Sequence, residues 1–220
     1  IDMTDSAGLG GAHLEQLSIT DIERIEIIKG AQSGIWGANA TAGVINIITR
    51  KTGKIAEANL EVGSRGTHKI ATTLGDKTGQ ADLLVHFSTQ NTDGFSATRE
   101  ADESHEKFED DGYQQTDLSM KFGVNLTKAH RIQAYFKQST ADNEFDGSSW
   151  VPPYLPLPDD ESATNSQTQT IQNLQYLYSE GDINAKVFLS HNEINREFPT
   201  YFSEYNGTVR ELGAQLGLNY

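Results

Sequence analysis

The chain has 220 residues, no cysteine and a formal net charge of −14. The missing cysteines exclude a disulfide framework and a thiolate metal site. The excess of acid argues against a DNA or RNA partner, whose phosphates need clustered lysine and arginine. No run approaches the roughly 18 to 20 apolar residues of a membrane-spanning helix. A β-barrel stays open, because each of its strands needs only about ten alternating residues.

The first predicted element is a strand over Ile22–Lys29, in which isoleucines alternate with charged residues. A glycine-punctuated stretch follows, and a second β-rich run covers Val44–Arg50. Glycines in this pattern indicate turns or close backbone approaches. They form neither G-x-x-x-x-G-K-[ST] nor a G-x-G-x-x-G between a strand and a helix, so a phosphate-binding loop is not supported.

Residues 22–50, IERIEIIKGAQSGIWGANATAGVINIITR, resemble the end of the plug domain of TonB-dependent outer-membrane transporters. The pattern of that family runs roughly IERIEVIKGP.S.LYG..A.GGVINIITK. The departures are mild: Ala31 stands for the usual proline, Trp36 for tyrosine and Ala42 for the first of two glycines. The resemblance implies a plug that fills the lumen of a transmembrane β-barrel of about 22 strands.

The same resemblance implies the division of the chain and the contacts of the plug. We expect the C-terminal part of the plug in residues 1–54 and the N-terminal portion of the barrel in residues 55–220. In the family, the arginine of the IERIE motif pairs with acids on the barrel wall, which transfers to Arg24. Polar, reversible contacts are required of a plug that moves, since an apolar seal is costly to break. The further polar residues expected to make such contacts are Glu26, Asn46 and Arg50.

Upstream of this motif, residues 6–13 are rich in glycine and lie where the family carries an apical plug loop that touches substrate. The residues of this loop expected to contact substrate are Ser6, Leu9 and His13. A plain turn explains the same glycines equally well, and this alternative stays open.

Beyond residue 54 the chain alternates with period two, the pattern of strands whose faces meet different surroundings. In the clearest segment, Thr116–Thr127, apolar residues alternate with Asp, Ser, Lys, Gly and Asn. Such polar faces suit a polar lumen, with the apolar faces turned to lipid. We count eight predicted strands: Ala56–Val62, His68–Leu74, Ala81–Ser88, Thr116–Thr127, Ile132–Gln138, Leu174–Tyr178, Ile183–Ser190 and Leu212–Tyr220.

The connections between these strands are predicted to differ at the two ends of the sheet. Short turns should lie at one end, and three long polar connections, residues 91–112, 140–166 and 197–207, at the other. Periodicity alone leaves a soluble β-sandwich open, but one-sided loop lengths favour an outer-membrane barrel. We therefore predict an all-β-dominated chain: a plug end followed by the first eight or so antiparallel strands of the barrel.

Most of the negative charge falls in two stretches, and the second, Asp142 to Glu161, holds six acids and no base. It is not an EF-hand, because position twelve of that loop would be Pro153. Some cobalamin-type members of the family order their outer loops with calcium. By that resemblance, we expect Asp142, Asp146, Asp159 and Asp160 to bind calcium. The competing interpretation is that these acids are simply solvated. No other cofactor is expected.

The resemblance implies TonB-dependent active uptake of a scarce, bulky nutrient, a ferric siderophore, haem or cobalamin, across the bacterial outer membrane. The expected partners are the TonB–ExbB–ExbD complex, reached through an N-terminal segment not in this sequence, a metal-chelate or corrinoid ligand, and outer-membrane lipid. We expect the chain to be a fragment of a longer protein. The alternative is a soluble or passive β-barrel surface-binding protein without energy coupling. No enzyme is expected, because no nucleophile, base and orienting acid stand at a recognisable spacing.

Overall fold

The computed structural model describes residues 17–36, 40–96, 110–145 and 163–218. Most of these residues lie in β-strands. The two helical segments within these ranges, α1 (Ser33–Trp36) and a 3-10 turn (Pro199–Tyr201), are single turns. No helix among the described residues is long and apolar enough to cross a bilayer.

The N-terminal part contains a two-stranded antiparallel sheet formed by β1 (Ile22–Lys29) and β2 (Gly43–Thr49). Ile25 pairs with Ile47 and Ile27 pairs with Ile45, so that these isoleucines share one face of the hairpin. Arg24 and Glu26 therefore fall on the opposite face. The strands predicted for residues 22–50 are confirmed.

Residues 55–218 build a second, eight-stranded sheet, which confirms the predicted number of strands. Each strand pairs antiparallel with the next one in sequence, and this sheet is open, with its first and last strands at the edges. We call it the wall. Its strands are β3 (Ile55–Val62), β4 (His68–Lys77), β5 (Ala81–Thr92), β6 (Tyr113–Asn125), β7 (His130–Glu144), β8 (Thr164–Glu180), β9 (Ile183–Phe198) and β10 (Ser203–Leu218).

The connections differ in length at the two ends of the wall, as predicted, but one predicted long connection is wrong. Residues 93–112 and 145–163 form two long connections at one end, whereas the opposite end has only short turns. The connection predicted over residues 197–207 shrinks to residues 199–202, because β9 and β10 continue to Phe198 and from Ser203. Both faces of these strand ends are largely polar, so alternation ends before the strand does.

The two faces of the wall differ in polarity. The face turned away from the N-terminal hairpin exposes large apolar side chains such as Leu60, Phe122 and Leu212, the last 76% exposed. The face turned toward the hairpin buries polar side chains, including His86 and Asp117. A sandwich in water buries its apolar face instead. This inverted arrangement suits lipid outside and a polar lumen inside.

The apolar band covers only part of the height of the wall. On the outer face of β9, the residues from Ile183 to Leu189 are apolar, and those from His191 to Glu197 are polar. A strand of 16 residues is about 53 Å long at 3.3 Å per residue. Even when tilted by about 40°, it exceeds an apolar band about 25 Å tall. The polar halves of these strands therefore project beyond the hydrocarbon on the side of the long connections.

Candidate functional site: the contact between hairpin and wall

Three of the four polar residues predicted to face the wall lie together on the hairpin itself. Arg24 donates from Nε to Glu26 Oε1 at 2.8 Å and from Nη1 to Glu23 Oε1 at 2.9 Å. Asn46 Nδ2 donates to Glu26 Oε2 at 3.0 Å across the strand pair. The hydrogen bond from Arg24, followed by that from Asn46, lowers the pKa of the Glu26 carboxyl. Both of these partners of Arg24 lie on the hairpin, and its contact with wall acids stays a prediction.

The fourth residue, Arg50, reaches the wall. Its Nη1 lies 2.8 Å from Glu57 Oε2 on β3 and 3.5 Å from Thr73 Oγ1 on β4. Lys121 Nζ on β6 donates to the backbone carbonyl of Arg50 at 2.6 Å and to that of Thr49 at 3.2 Å. The chain leaving β2 is therefore held from both sides by polar groups of the wall.

The segment before β1, residues 17–21, which we call the lead-in segment, also lies against the wall. Thr20 Oγ1 is 2.8 Å from His86 Nε2 and donates to Ser88 Oγ at 3.2 Å. The other ring nitrogen of His86, Nδ1, lies 2.8 Å from Thr73 Oγ1. Only 2% of His86 is exposed, and both of its nitrogens have hydroxyl partners. This burial is tolerated because the polar atoms are satisfied.

A buried cation lies beside this contact. Lys137 Nζ on β7 is 3.5 Å from Asp21 Oδ1 and 3.8 Å from Asp117 Oδ1, and all three side chains are at most 10% exposed. Tyr135 donates its hydroxyl to Asp21 Oδ2 at 3.4 Å. One ammonium group thus balances two carboxylates that would be expensive to bury alone. We call the Thr20–His86 and Asp21–Lys137 contacts together the latch.

Sequence reasoning missed the latch. The alternation already assigned His86 and Asp117 to the polar face of their strands, which is the signal that these side chains point inward. Nothing in the spacing along the chain tells which residues of the hairpin region meet them. That pairing depends on the docking of one sheet against another.

The remaining predicted site residues fall largely outside the part of the chain that the structure describes. Asp142 is described and lies exposed near the end of β7, on the side of the long connections. Within residues 17–36, 40–96, 110–145 and 163–218, no three His, Asp or Glu side chains are grouped to hold a metal ion. The predicted site residues outside these ranges are Ser6, Leu9, His13, Asp146, Asp159 and Asp160.

A sheet that is apolar outside and polar inside, with a hairpin held against its inner face, defines an outer-membrane barrel protein with a plug. Comparison with known proteins agrees. The model of the TonB-dependent Receptor Plug Domain matches residues 2–44. The vitamin B12 transporter of Photobacterium profundum is 29% identical over 150 residues, 67% of this chain and 24% of that protein.

Solved structures share the fold. The ferric enterobactin receptor of Pseudomonas aeruginosa, in a mutant form, superposes with a TM-score of 0.66 and 16% identity over 97% of this chain and 36% of that one. The ferric yersiniabactin uptake receptor of Yersinia pestis gives a TM-score of 0.64 and 18% identity over 91% of this chain and 34% of that one. The chain spans about a quarter to a third of the length of these proteins.

The plug-domain match, the similarity to the vitamin B12 transporter and the shared fold together support a fragment of a TonB-dependent transporter, in which plug residues are followed by eight antiparallel strands. Its place is the bacterial outer membrane, with the apolar face of the wall in lipid.

Proposed function

We propose that the full-length receptor takes up a scarce, bulky nutrient, with energy from the TonB–ExbB–ExbD complex, and that a corrinoid is the first candidate for this nutrient. A vitamin B12 transporter is 29% identical to the chain over 150 residues, whereas the two siderophore receptors compared above share its fold at 16% and 18% identity. We further propose that the plug ends near residue 54 and that the barrel begins at residue 55.

The observation that carries this proposal is the polar character of the contact between plug and wall. The latch and the contacts of Arg50 with Glu57 and Lys121 consist of hydrogen bonds and ion pairs. An individual hydrogen bond in water contributes only about 0.5 to 1.5 kcal/mol net, because water replaces it when it breaks. A pulling force can therefore release such contacts one after another, and they re-form afterwards.

The test measures binding and uptake of radiolabelled cyanocobalamin in cells that express the full-length receptor, with and without TonB. We expect high-affinity binding in both strains and accumulation only where TonB is present. Equal accumulation in both strains would favour the alternative, a passive surface-binding barrel. Binding of a ferric siderophore, with none of cyanocobalamin, would replace the corrinoid by that class of nutrient.

Two further proposals concern the outer side of this receptor. We propose that Ser6, Leu9 and His13 contact the nutrient, so that His13→Ala weakens binding of cyanocobalamin without changing the amount of receptor in the membrane. We also propose that Asp142, Asp146, Asp159 and Asp160 bind calcium. Chelation of calcium should then weaken cyanocobalamin binding, and the Asp159→Asn, Asp160→Asn variant should lose this sensitivity. An unchanged response to chelation in that variant would refute the calcium site.

A further inference from the structure

Three rings form a cluster on the outer face of the wall, at the end with the short turns. His130 begins β7 and pairs with Tyr178 on β8, and Tyr176 lies on the same face two residues along. The ring centroids of His130 and Tyr178 are 5.1 Å apart, and those of His130 and Tyr176 are 5.9 Å apart. His130 Nδ1 lies 2.5 Å from the Tyr176 hydroxyl oxygen. We call these three residues the aromatic cluster.

The aromatic cluster lies at the edge of the apolar band. Toward the long connections, the next residues on the same face are Ile132 on β7 and Leu174 on β8, and Leu174 is exposed. In the other direction β7 begins after a turn over residues 126–129, and β8 ends at Glu180. Tyrosine suits this depth because its ring favours hydrocarbon and its hydroxyl favours water. The aromatic cluster therefore faces the lipid headgroups on the side of the short turns.

Two opposite charges lie next to the aromatic cluster. Lys128 is in the turn, two residues before His130, and its side chain is exposed. Among the described residues it forms no ion pair. Glu180 is also exposed, and one of its oxygens, Oε2, accepts a hydrogen bond of 2.9 Å from the Tyr178 hydroxyl. An ammonium group and a carboxylate are therefore both available to a ligand at this edge.

Hydrogen bonds hold the backbone that carries these two charges. Thr127 Oγ1 accepts the amides of Ala129 and His130, at 3.1 Å and 3.2 Å. The amide of Ser179 on β8 donates to the carbonyl of Ala129 at 2.9 Å, and Ser179 precedes Glu180 in the chain. The turn is thus fixed against the end of β8, so that a ligand meets a largely pre-organised surface.

This set of groups complements a zwitterionic phospholipid headgroup. The Lys128 ammonium can pair with a phosphate, and the Glu180 carboxylate can accept hydrogen bonds from a headgroup ammonium. A cation is also attracted to the face of a tyrosine ring. A purely anionic headgroup would meet the Glu180 carboxylate, and a purely cationic ligand would meet Lys128. A soluble zwitterion would leave the exposed Leu174 uncovered, whereas the acyl chains of a lipid cover it.

We propose that this end of β7 and β8 is a binding site for phosphatidylethanolamine, whose headgroup joins a phosphate to a primary ammonium. Lys128 binds the phosphate, Glu180 and the tyrosine rings bind the ammonium, and the outer face beyond the aromatic cluster contacts the acyl chains. The site depends on the placement of the outer face in lipid and is independent of the nutrient that the receptor takes up.

The first test uses native mass spectrometry to count lipids retained by the full-length receptor in detergent with equal amounts of phosphatidylethanolamine and phosphatidylglycerol. The wild type should retain about fivefold more phosphatidylethanolamine, the factor that one good exposed ion pair supplies. Glu180→Gln should lose most of this preference. Asp182→Asn, which removes an exposed acid from the following turn, should keep it. Equal retention of the two lipids by the wild type, or equal preferences in the two variants, would overturn the proposal.

The second test removes the cation. Lys128→Gln should lower the retention of both lipids by about fivefold, because both carry a phosphate. Lys77→Gln is the matched control, since Lys77 is exposed at the same end of the wall, on β4. All variants should reach the membrane in equal amounts. If Lys128→Gln retains as much lipid as Lys77→Gln does, Lys128 does not hold a phosphate and the proposed site is wrong.

Discussion

Lys137 shows how much a single side chain contributes to the docking of the plug. It lies within 4 Å of two buried carboxylates, one on the lead-in segment and one on the wall. Its removal leaves both acids without their cation, and loss of one partner from a buried pair costs about 3 to 5 kcal/mol. Isolated surface pairs contribute far less, about 0 to 1 kcal/mol.

We therefore predict that Lys137→Met loosens the lead-in segment in the full-length receptor. The amide of Arg50 donates to the carbonyl of Asp21 at 2.8 Å and reports on this opening. A loss of about 3 kcal/mol corresponds to exchange of that amide faster by about two orders of magnitude. Mass-spectrometric hydrogen exchange measures this, with Lys186→Met on β9 as the control. Equal protection of Arg50 in wild type and Lys137→Met would show that the cation does not hold the segment.

Gly123 illustrates a residue whose small size permits an ion pair. Arg131 on β7 reaches across it to Asp82 on β5, with Nη2 2.7 Å from Oδ2. A Cβ atom at position 123 would overlap the guanidinium group and approach the carboxylate. Asp82 is 4% exposed, so that its separation from Arg131 would leave a buried charge unpaired.

The Gly123→Val substitution should therefore destabilise the barrel by about 2 to 4 kcal/mol. The temperature at which the folded receptor unfolds in detergent should fall, as read from its mobility on SDS gels. Gly217→Val serves as the control, because a Cβ there meets nothing closer than 3.8 Å. If both variants unfold at the wild-type temperature, Arg131 does not depend on the space at position 123.

At the scale of the strand, the outer face of β10 shows where the membrane ends. Leu212 and Leu216 are 76% and 72% exposed, which no strand in water would favour over so long a stretch. Thr208 and Arg210, on the same face toward the long connections, are polar. The change of polarity marks the boundary between hydrocarbon and headgroups.

Leu216→Arg should consequently lower the free energy of unfolding of the barrel in a lipid bilayer by about 2 to 4 kcal/mol, the cost of an arginine near the middle of the membrane. Thr208→Arg, on the same strand and the same face, should cost less than about 1 kcal/mol because it lies at or beyond the interface. Assembly of the two variants into lipid vesicles at increasing urea gives both values. Equal costs would mean that the apolar band does not end between these residues.

The strands were predictable from sequence where their faces differ and unpredictable where they do not. Thr116–Thr127 alternates cleanly, and β6 (Tyr113–Asn125) agrees with it within a few residues. The segment from His191 to Phe198 is polar on both sides over most of its length, so it resembles a loop although it continues β9. Backbone hydrogen bonds to β8 and β10 extend the strand there. This pairing depends on the neighbouring strands and cannot be predicted from the local amino-acid composition.

The contacts of the plug were likewise predictable from sequence only in part. The polar hairpin residues were predictable as a group from the IERIE motif, but their partners were not. Arg50 meets Glu57 on the wall, whereas Arg24 bonds to Glu26 on its own strand. Side chains two apart on a strand share a face, so the pairing of Arg24 with Glu26 follows from the geometry of their own strand. The latch requires contacts more than 60 residues apart in sequence, and these follow only from the docked fold.

Across the whole molecule, a polar plug segment rests on the inner face of a wall whose outer face is in lipid. The inner face of the wall buries polar side chains such as His86 and Asp117, and its outer face exposes apolar ones such as Leu60 and Leu212. Plug and wall then meet through groups that water can also satisfy, so that separation costs little more than the hydrogen bonds exchanged. A tight apolar interface of the same extent would resist separation through the full hydrophobic effect.

Cross-linking across the latch is the most direct measurement of this arrangement. The chain has no cysteine, so that Thr20→Cys with His86→Cys, in a full-length receptor free of other cysteines, can be joined by a short, reducible thiol reagent in intact outer membranes. The pair of Thr20→Cys with Phe87→Cys, one residue along on the lipid-facing side, is the control. We predict a cross-link for the first pair alone and nutrient uptake that stops until the link is reduced. A cross-link to position 87 but not to position 86 would place the plug on the wrong face of the wall and contradict the account.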